Sequence, residues 1–213
     1  MEISASAVKE LRERTGAGMM DCKKALGETK GNLDEAVEYL RKKGLSAAAK
    51  KAGRATSEGL IGSYVHSNGK VAVLVEINCE TDFVARNENF QAFAKDIAMH
   101  IAAAAPIAVR PEEVPADYIA KEKEILLALM QADPKMAGKP QAMLEKVLEG
   151  KVQKIYEEQC LLNQKFVKNP DLTVAQYLSQ TIGAVGENMA IVRFSRLVLG
   201  ETAKKEADAG AMN

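Results

Sequence analysis

Apolar positions in the first 44 residues recur at spacings of three and four, in three short runs separated by glycines. That is the pattern of a small three-helix unit. Ser4 stands where it caps the first helix, with Ile3 and Val8 placed as a hydrophobic staple across the cap. Val8 and Leu11 continue the stripe until "TGAG" at 15–18 ends it. The second run, "MMDCKKALGET", sets Cys22, Ala25 and Leu26 on one side, with Gly31 as its stop. Asn32 caps the third helix and Glu35 completes a capping-box pattern. Leu33, Ala36, Val37 and Leu40 form its buried side, and Gly44 is expected to close it. Three helices this short only just enclose a core, so residues 1–44 read as a module rather than an enzyme.

Residues 45–58 read as a linker, alanine- and lysine-rich and then small and polar, with a short helix at its start. The period then changes. "LIGSYVHSNGKVAVLVEINCE" predicts a hairpin over 59–79, turning on Asn68-Gly69 as a two-residue turn with positive φ at both positions. Val71, Val73, Val75 and Ile77 share one face of its second strand, and Leu74 interrupts the polar alternation on the other. Phe90, Phe93, Ala94, Ile97, Ala98 and Ile101 then form a stripe at helical spacing, ended by Pro106. Two further helices are predicted in "PADYIAKEKEILLALMQ" and "PQAMLEKVLEGKVQKIYEE", the second lined by Leu144, Val147, Leu148, Val152 and Ile155. "TVAQYL" opens another with a Thr173/Gln176 capping box. Residues 189–199 read as a closing strand, and 201–213 as a frayed polar tail. The fold class is α+β: a helical N-terminal module, then a core domain over 59–200 in which helices cover one face of a small antiparallel sheet.

Residues 80–87, "ETDFVARN", sit where the strand meets the long helix. Thr81 suits a helix cap and Asp82 its first turn. In an unbroken helix Phe83 would lie seven residues before Phe90, on the buried stripe. Arg86 and Asn87 interrupt that stripe, however, and Asn87 is itself a good cap for a helix starting at Glu88. The pattern leaves two readings open: Phe83 as a core residue at a corner, or as an exposed apolar tip.

Composition and charge narrow the function classes. The 213 residues carry 29 basic and 29 acidic side chains. That balance excludes a globally basic surface of the kind that drives non-specific nucleic-acid binding, and no direct nucleic-acid partner is expected. No apolar run approaches a membrane span or the core of a signal peptide, and a cytoplasmic protein is expected. Cys22, Cys79 and Cys160 are scattered without CxxC spacing and read as reduced thiols, Cys22 and Cys79 as packing residues on apolar patterns. With His66 in a strand-like run and His100 on a helix, no metal site and no cofactor is expected. Catalytic signatures such as GxSxG, the phosphate-binding loop and HExxH are missing from the sequence. Met19 and Met20 point about 100° apart on a helix, which predicts one buried and one free. The "KKAGR" run at 50–54 reads as solvated charge in preference to a phosphate contact.

Two stretches carry a family resemblance. "VKELRERTGAGMMDCKKAL" and "INCETDFVARNENFQAFA" resemble the two signatures of the bacterial elongation factor Ts family, in the right order. Weaker similarity continues through "AMHIAA", "LLNQKFVKNPDLTVAQYL" and the final strand. The resemblance implies a guanine-nucleotide exchange partner of elongation factor Tu, with no covalent chemistry of its own. It implies an N-terminal module similar to ubiquitin-associated domains, docking on Tu around Arg12, Met19 and Met20. It implies that Thr81, Asp82, Phe83 and Val84 insert beside the magnesium site of Tu, with Asp82 and Phe83 as the tips. His66 and Arg86 are further contacts implied in the same way. Longer family members carry a duplicated core; a single hairpin and one closing strand here resemble the short form. That leads to the expectation of a homodimer, in which two copies complete the surface each Tu meets. The competing readings are a helix- or ubiquitin-like-binding module without exchange activity, and a thiol enzyme using Cys22 or Cys79.

Overall fold

The computed structural model describes residues 3–133 and 139–201. In chain order its elements are α1 (Ala5–Thr15), α2 (Met19–Glu28), α3 (Leu33–Lys51), β1 (Glu58–Val65), β2 (Val71–Cys79) and α4 (Asp82–Ala85). There follow α5 (Glu88–Ala104), α6 (Ala116–Ala132), α7 (Gln141–Gln159), β3 (Lys165–Phe166), β4 (Asn169–Thr173), α8 (Val174–Val185) and β5 (Met189–Val198). The mixed α+β class is as the sequence predicts. Residues 202–213, nearly all of the expected tail, lie outside the described residues.

The first three helices close around Leu11, Cys22, Ala25, Leu26, Ala36 and Leu40. Ser4 Oγ accepts from the Ala7 N–H, and Gly16 ends α1 in the left-handed region at φ 67°. Gly31 N–H donates to the Leu26 carbonyl at 2.8 Å, stopping α2 where the glycine predicts. Asn32 Oδ1 accepts from the N–H groups of Asp34 and Glu35. The reciprocal bond comes to Glu35 from the Asn32 side-chain amide at 2.9 Å, rather than from the backbone N–H of a true capping box.

Gly44 does not close α3. The helix continues to Lys51, so residues 45–51 of the expected linker are its last two turns. The run "SAAAKK" is a strong helix former, and Lys50 and Lys51 sit favourably at the carboxyl end of the helix dipole. The glycine serves a close crossing instead. A Cβ at Gly44 would lie 3.5 Å from Gln180 Cα on α8, and one at Gly183 would lie 3.4 Å from Gly44 Cα. Helix α3 therefore joins the N-terminal module to the core directly.

The sheet is antiparallel with order β1-β2-β5. Its inner face presents Val73, Val75, Ile77 and Cys79 of β2 to Phe90, Phe93, Ile97 and Ile101 of α5. Gly62 permits the close seat of α5 on β1, because a Cβ there would meet the Ala94 carbonyl at 3.1 Å and Val75 Cγ1 at 3.2 Å. The outer face carries exposed Ile61, Leu74 and Leu197. The hairpin differs from expectation at its tip. Gly69 alone takes positive φ, at 67°, and its N–H donates to the His66 carbonyl, so the turn runs over 66–69. Asn68 instead uses its side chain to accept from the Lys70 N–H. His66 is accordingly a turn residue, not a strand residue.

Beyond α5 the chain turns at Ala105, left-handed at φ 49°, before Pro106. On α7, Val152 is buried and Leu144, Val147, Leu148 and Ile155 are half-buried, while α6 leaves Ile125, Leu127 and Leu129 exposed. The β3–β4 ribbon was not legible, since its first strand is two residues long and carries no period. The Thr173/Gln176 capping box forms with both of its bonds, at 3.2 and 2.9 Å. His100 is wholly buried. Its Nδ1 accepts from the Val167 N–H at 3.2 Å, which leaves Nε2–H to donate to Gln164 Oε1 at 2.9 Å.

Candidate interaction site

The end of β2 and the start of α5 are joined by the single turn of α4, and the local sequence dictates its shape. Thr81 is extended, at φ −131° and ψ 155°, and its Oγ1 accepts from the Val84 N–H at 3.4 Å. Arg86 ends the turn and Asn87 restarts the helix, its Oδ1 accepting from the Asn89 N–H at 2.8 Å. The chain is therefore broken between Phe83 and Phe90, and the two rings part company. Phe90 is fully buried, whereas Phe83 is 79% exposed. Val84 and Ala85 on the same turn pack inward on the core. Of the two readings left open by the sequence, the exposed tip is the one observed.

Around that tip, Asp82 is held by Arg86, whose Nη2 donates to Oδ2 at 2.8 Å. Thr81 is fixed by residues far away in the chain. Its N–H and hydroxyl both donate to the Glu187 carboxylate, at 3.0 and 2.7 Å. Next to it, Glu80 accepts from the Asn188 N–H at 2.6 Å and pairs with Arg54 at 3.4 Å, and Asn188 Nδ2 donates to the Arg54 carbonyl. Sequence reading missed Glu80, Arg54, Glu187 and Asn188. Their separations of up to 134 residues leave no local trace, and "GEN" at 186–188 reads only as a loop.

The N-terminal module presents a second surface. Arg12 is exposed on α1, and Met19 and Met20 are 62% and 78% exposed at the start of α2. The expectation that one methionine is buried fails here. Met19 does lie on the stripe of Cys22 and Leu26, but it falls in the first turn, before α2 meets its neighbours. Asp21 beside them is paired with Lys43 of α3. His66 joins neither group. It sits at the opposite end of the hairpin from Thr81, roughly 25 Å away along an eight-residue strand, with Nδ1 2.9 Å from the Tyr64 hydroxyl.

The three cysteines are free thiols set inside the fold. Cys22, Cys79 and Cys160 are all buried, and burial pushes each thiol up from its ordinary value. Cys79 Sγ donates to the Thr81 carbonyl at 3.1 Å. Among the described residues no three His, Cys, Asp or Glu side chains gather as a metal site, and no helix is long and apolar enough to cross a membrane.

The family model described as Elongation factor TS matches residues 4–201. This chain belongs to the elongation factor Ts family. An Elongation factor Ts of Geobacter sulfurreducens is 61% identical over 212 residues, covering 99% of this chain and 96% of that protein. The Elongation factor Ts of Solidesulfovibrio magneticus is 58% identical over 94% of this chain and 98% of its own length. That of Desulforamulus reducens is also 58% identical, over 97% and 94%. The match runs through both surfaces described above, from the N-terminal module to β5.

Proposed function

We propose that this chain is the guanine-nucleotide exchange factor of elongation factor Tu, acting on the GDP-bound form and holding the nucleotide-free form until GTP enters. The observation that carries the reading is Phe83, an aromatic ring left in solvent on a turn whose other apolar residues, Val84 and Ala85, are half-buried against the core. A large exposed ring on an anchored turn is an anchor for a partner pocket. In this reading Phe83 and Asp82 insert beside the magnesium ion of Tu, with Thr81 and Val84 as the base of the wedge. Disturbing groups that support a magnesium–phosphate contact weakens a strongly electrostatic bond, so a small displacement has a large effect on GDP. The factor makes no covalent bond. It works because it binds nucleotide-free Tu better than Tu·GDP, and only that difference shifts the equilibrium.

The N-terminal module, residues 1–44, docks through Arg12, Met19 and Met20, whose flexible thioethers suit an apolar partner surface. Arg86 and His66 are secondary contacts, Arg86 by releasing Asp82 to the partner. No cofactor, nucleic acid or membrane enters the cycle, which runs in the cytoplasm with the rest of elongation. We further propose that two copies pair through the open sheet face bearing Ile61, Leu74 and Leu197; a strictly monomeric 23 kDa species by light scattering at working concentrations would refute the pairing. The exchange reading is tested by following fluorescent GDP leaving Tu in excess unlabelled GDP. Catalytic amounts of this chain should speed the release. Binding to Tu with no acceleration would leave a docking module and overturn the exchange role.

A further inference from the structure

We infer that Glu187 is the positioning residue of the Phe83 tip, an assignment that rests on the exchange reading above. Thr81 is the pivot on which α4 turns, and each of its polar groups is engaged. Its N–H and Oγ1–H donate to Glu187, its carbonyl accepts from Cys79 Sγ and from the Ala85 N–H at 3.3 Å, and its Oγ1 accepts from Val84 N–H. The carboxylate sets the direction of the hydroxyl proton, and this turns an oxygen lone pair toward the Val84 amide. A chain of hydrogen bonds thus runs from Glu187 through Thr81 into the turn that carries Phe83.

Three features separate this contact from ordinary loop packing. Glu187 has no lysine or arginine partner among the described residues, and the hydrogen bonds its side chain makes all go to Thr81. Bonds from neutral donors to a carboxylate are the strong kind, and here two converge on one residue. The neighbouring residue repeats the device, since Asn188 ties Glu80 and the Arg54 carbonyl just beyond α3 to the same loop. Gly186, left-handed at φ 83°, ends α8 and delivers both residues to their place. The loop between α8 and β5 is therefore a strap across the base of the tip. A ring held in one orientation before binding loses less freedom on insertion than a loose one, so the strap should act on the insertion step rather than on docking by the N-terminal module.

The test uses the full chain carrying Glu187→Ala or Glu187→Gln, each alone and combined with Phe83→Ala. Two quantities are read from GDP release: the maximal rate at saturating factor and the half-saturating concentration. Amide hydrogen exchange of residues 81–85 is measured in parallel. Glu187→Ala should lower the maximal rate roughly 10- to 100-fold with little change in half-saturation, and Glu187→Gln, which retains one acceptor, should lower it less. In the Phe83→Ala background Glu187→Ala should add no further loss. The Val84 and Ala85 amides should exchange faster while those of β2 stay protected. An unchanged maximal rate, or an equal loss without Phe83, would overturn the assignment. Should the parent chain fail to release GDP at all, the exchange reading falls, while unchanged amide protection would separately refute the hold of Glu187 on the turn. If Glu187→Ala does not fold, Thr81→Val removes the hydroxyl link alone and should reproduce the loss.

Discussion

Replacing Phe83 by alanine separates partner binding from stability, because the ring contributes little to its own fold. Phe83 is 79% exposed, so only about a fifth of it is covered. Full burial of a phenylalanine is worth about 1.5–3 kcal/mol, and the covered fraction therefore less than ~0.6 kcal/mol. Alanine is the better helix former by about 0.5 kcal/mol, which offsets most of that loss. The melting temperature of Phe83→Ala should thus stay within about 2 °C of the parent, since 1 kcal/mol moves a chain of this size by roughly 2–4 °C. Burial of the remaining surface in a partner pocket would supply about 1–2.5 kcal/mol, and its loss should slow GDP release from Tu by roughly 5- to 60-fold. Differential scanning calorimetry and the fluorescent GDP assay read the two quantities on one preparation. A melting temperature lowered by more than about 5 °C would mean that Phe83 supports the core. Release within about twofold of the parent would mean that the ring is no wedge.

Other expectations follow from single contacts. Gly62→Ala places a methyl 3.1–3.2 Å from Ala94 and Val75 and should destabilise by about 1–3 kcal/mol in urea titration; an unchanged midpoint would show that α5 can slide on the sheet. Burial depresses the pKa of His100, against a smaller opposing effect from the Gln164 hydrogen bond. The unfolded chain then takes up the proton first as pH falls, so His100 contributes stability that is whole above about pH 6.5 and is lost beneath it, at no more than about 1.4 kcal/mol per pH unit. Urea unfolding of the parent and His100→Gln between pH 7 and 5 should show a steeper decline in the parent; parallel curves would refute the buried neutral imidazole. The three cysteines should resist a thiol reagent until the chain unfolds, and rapid native labelling of Cys22 or Cys79 would revive the thiol-enzyme reading.

Periodic features were the ones the sequence could reveal. The α5 stripe, the alternating face of β2, the glycine stops of the first two helices, the Asn32 cap of the third, and the break at Asn87 all depend on residues within a turn or two of each other. Errors arose where a second element decided the outcome. Gly44 looked like a helix stop because its use, a close crossing against Gly183, lies 139 residues further along the chain. Met19 sits on the correct stripe for burial, yet the stripe runs past the end of its cover. The turn at 66–69 kept its glycine but moved by a residue, since one positive φ sufficed. The candidate site was half legible for the same reason. The Thr81 cap and the break before Phe90 could be read locally, but they left Phe83 undecided between core and tip, and Glu187 meets Thr81 only through the folded sheet.

Exchange requires that this chain prefer Tu without GDP. Isothermal titration of the chain into nucleotide-free Tu and into Tu·GDP measures that preference directly, with GDP binding to Tu and to the Tu complex closing the cycle. Binding should be tighter to the nucleotide-free form, by the same factor by which the chain weakens GDP. Equal affinity for the two forms would contradict the exchange role.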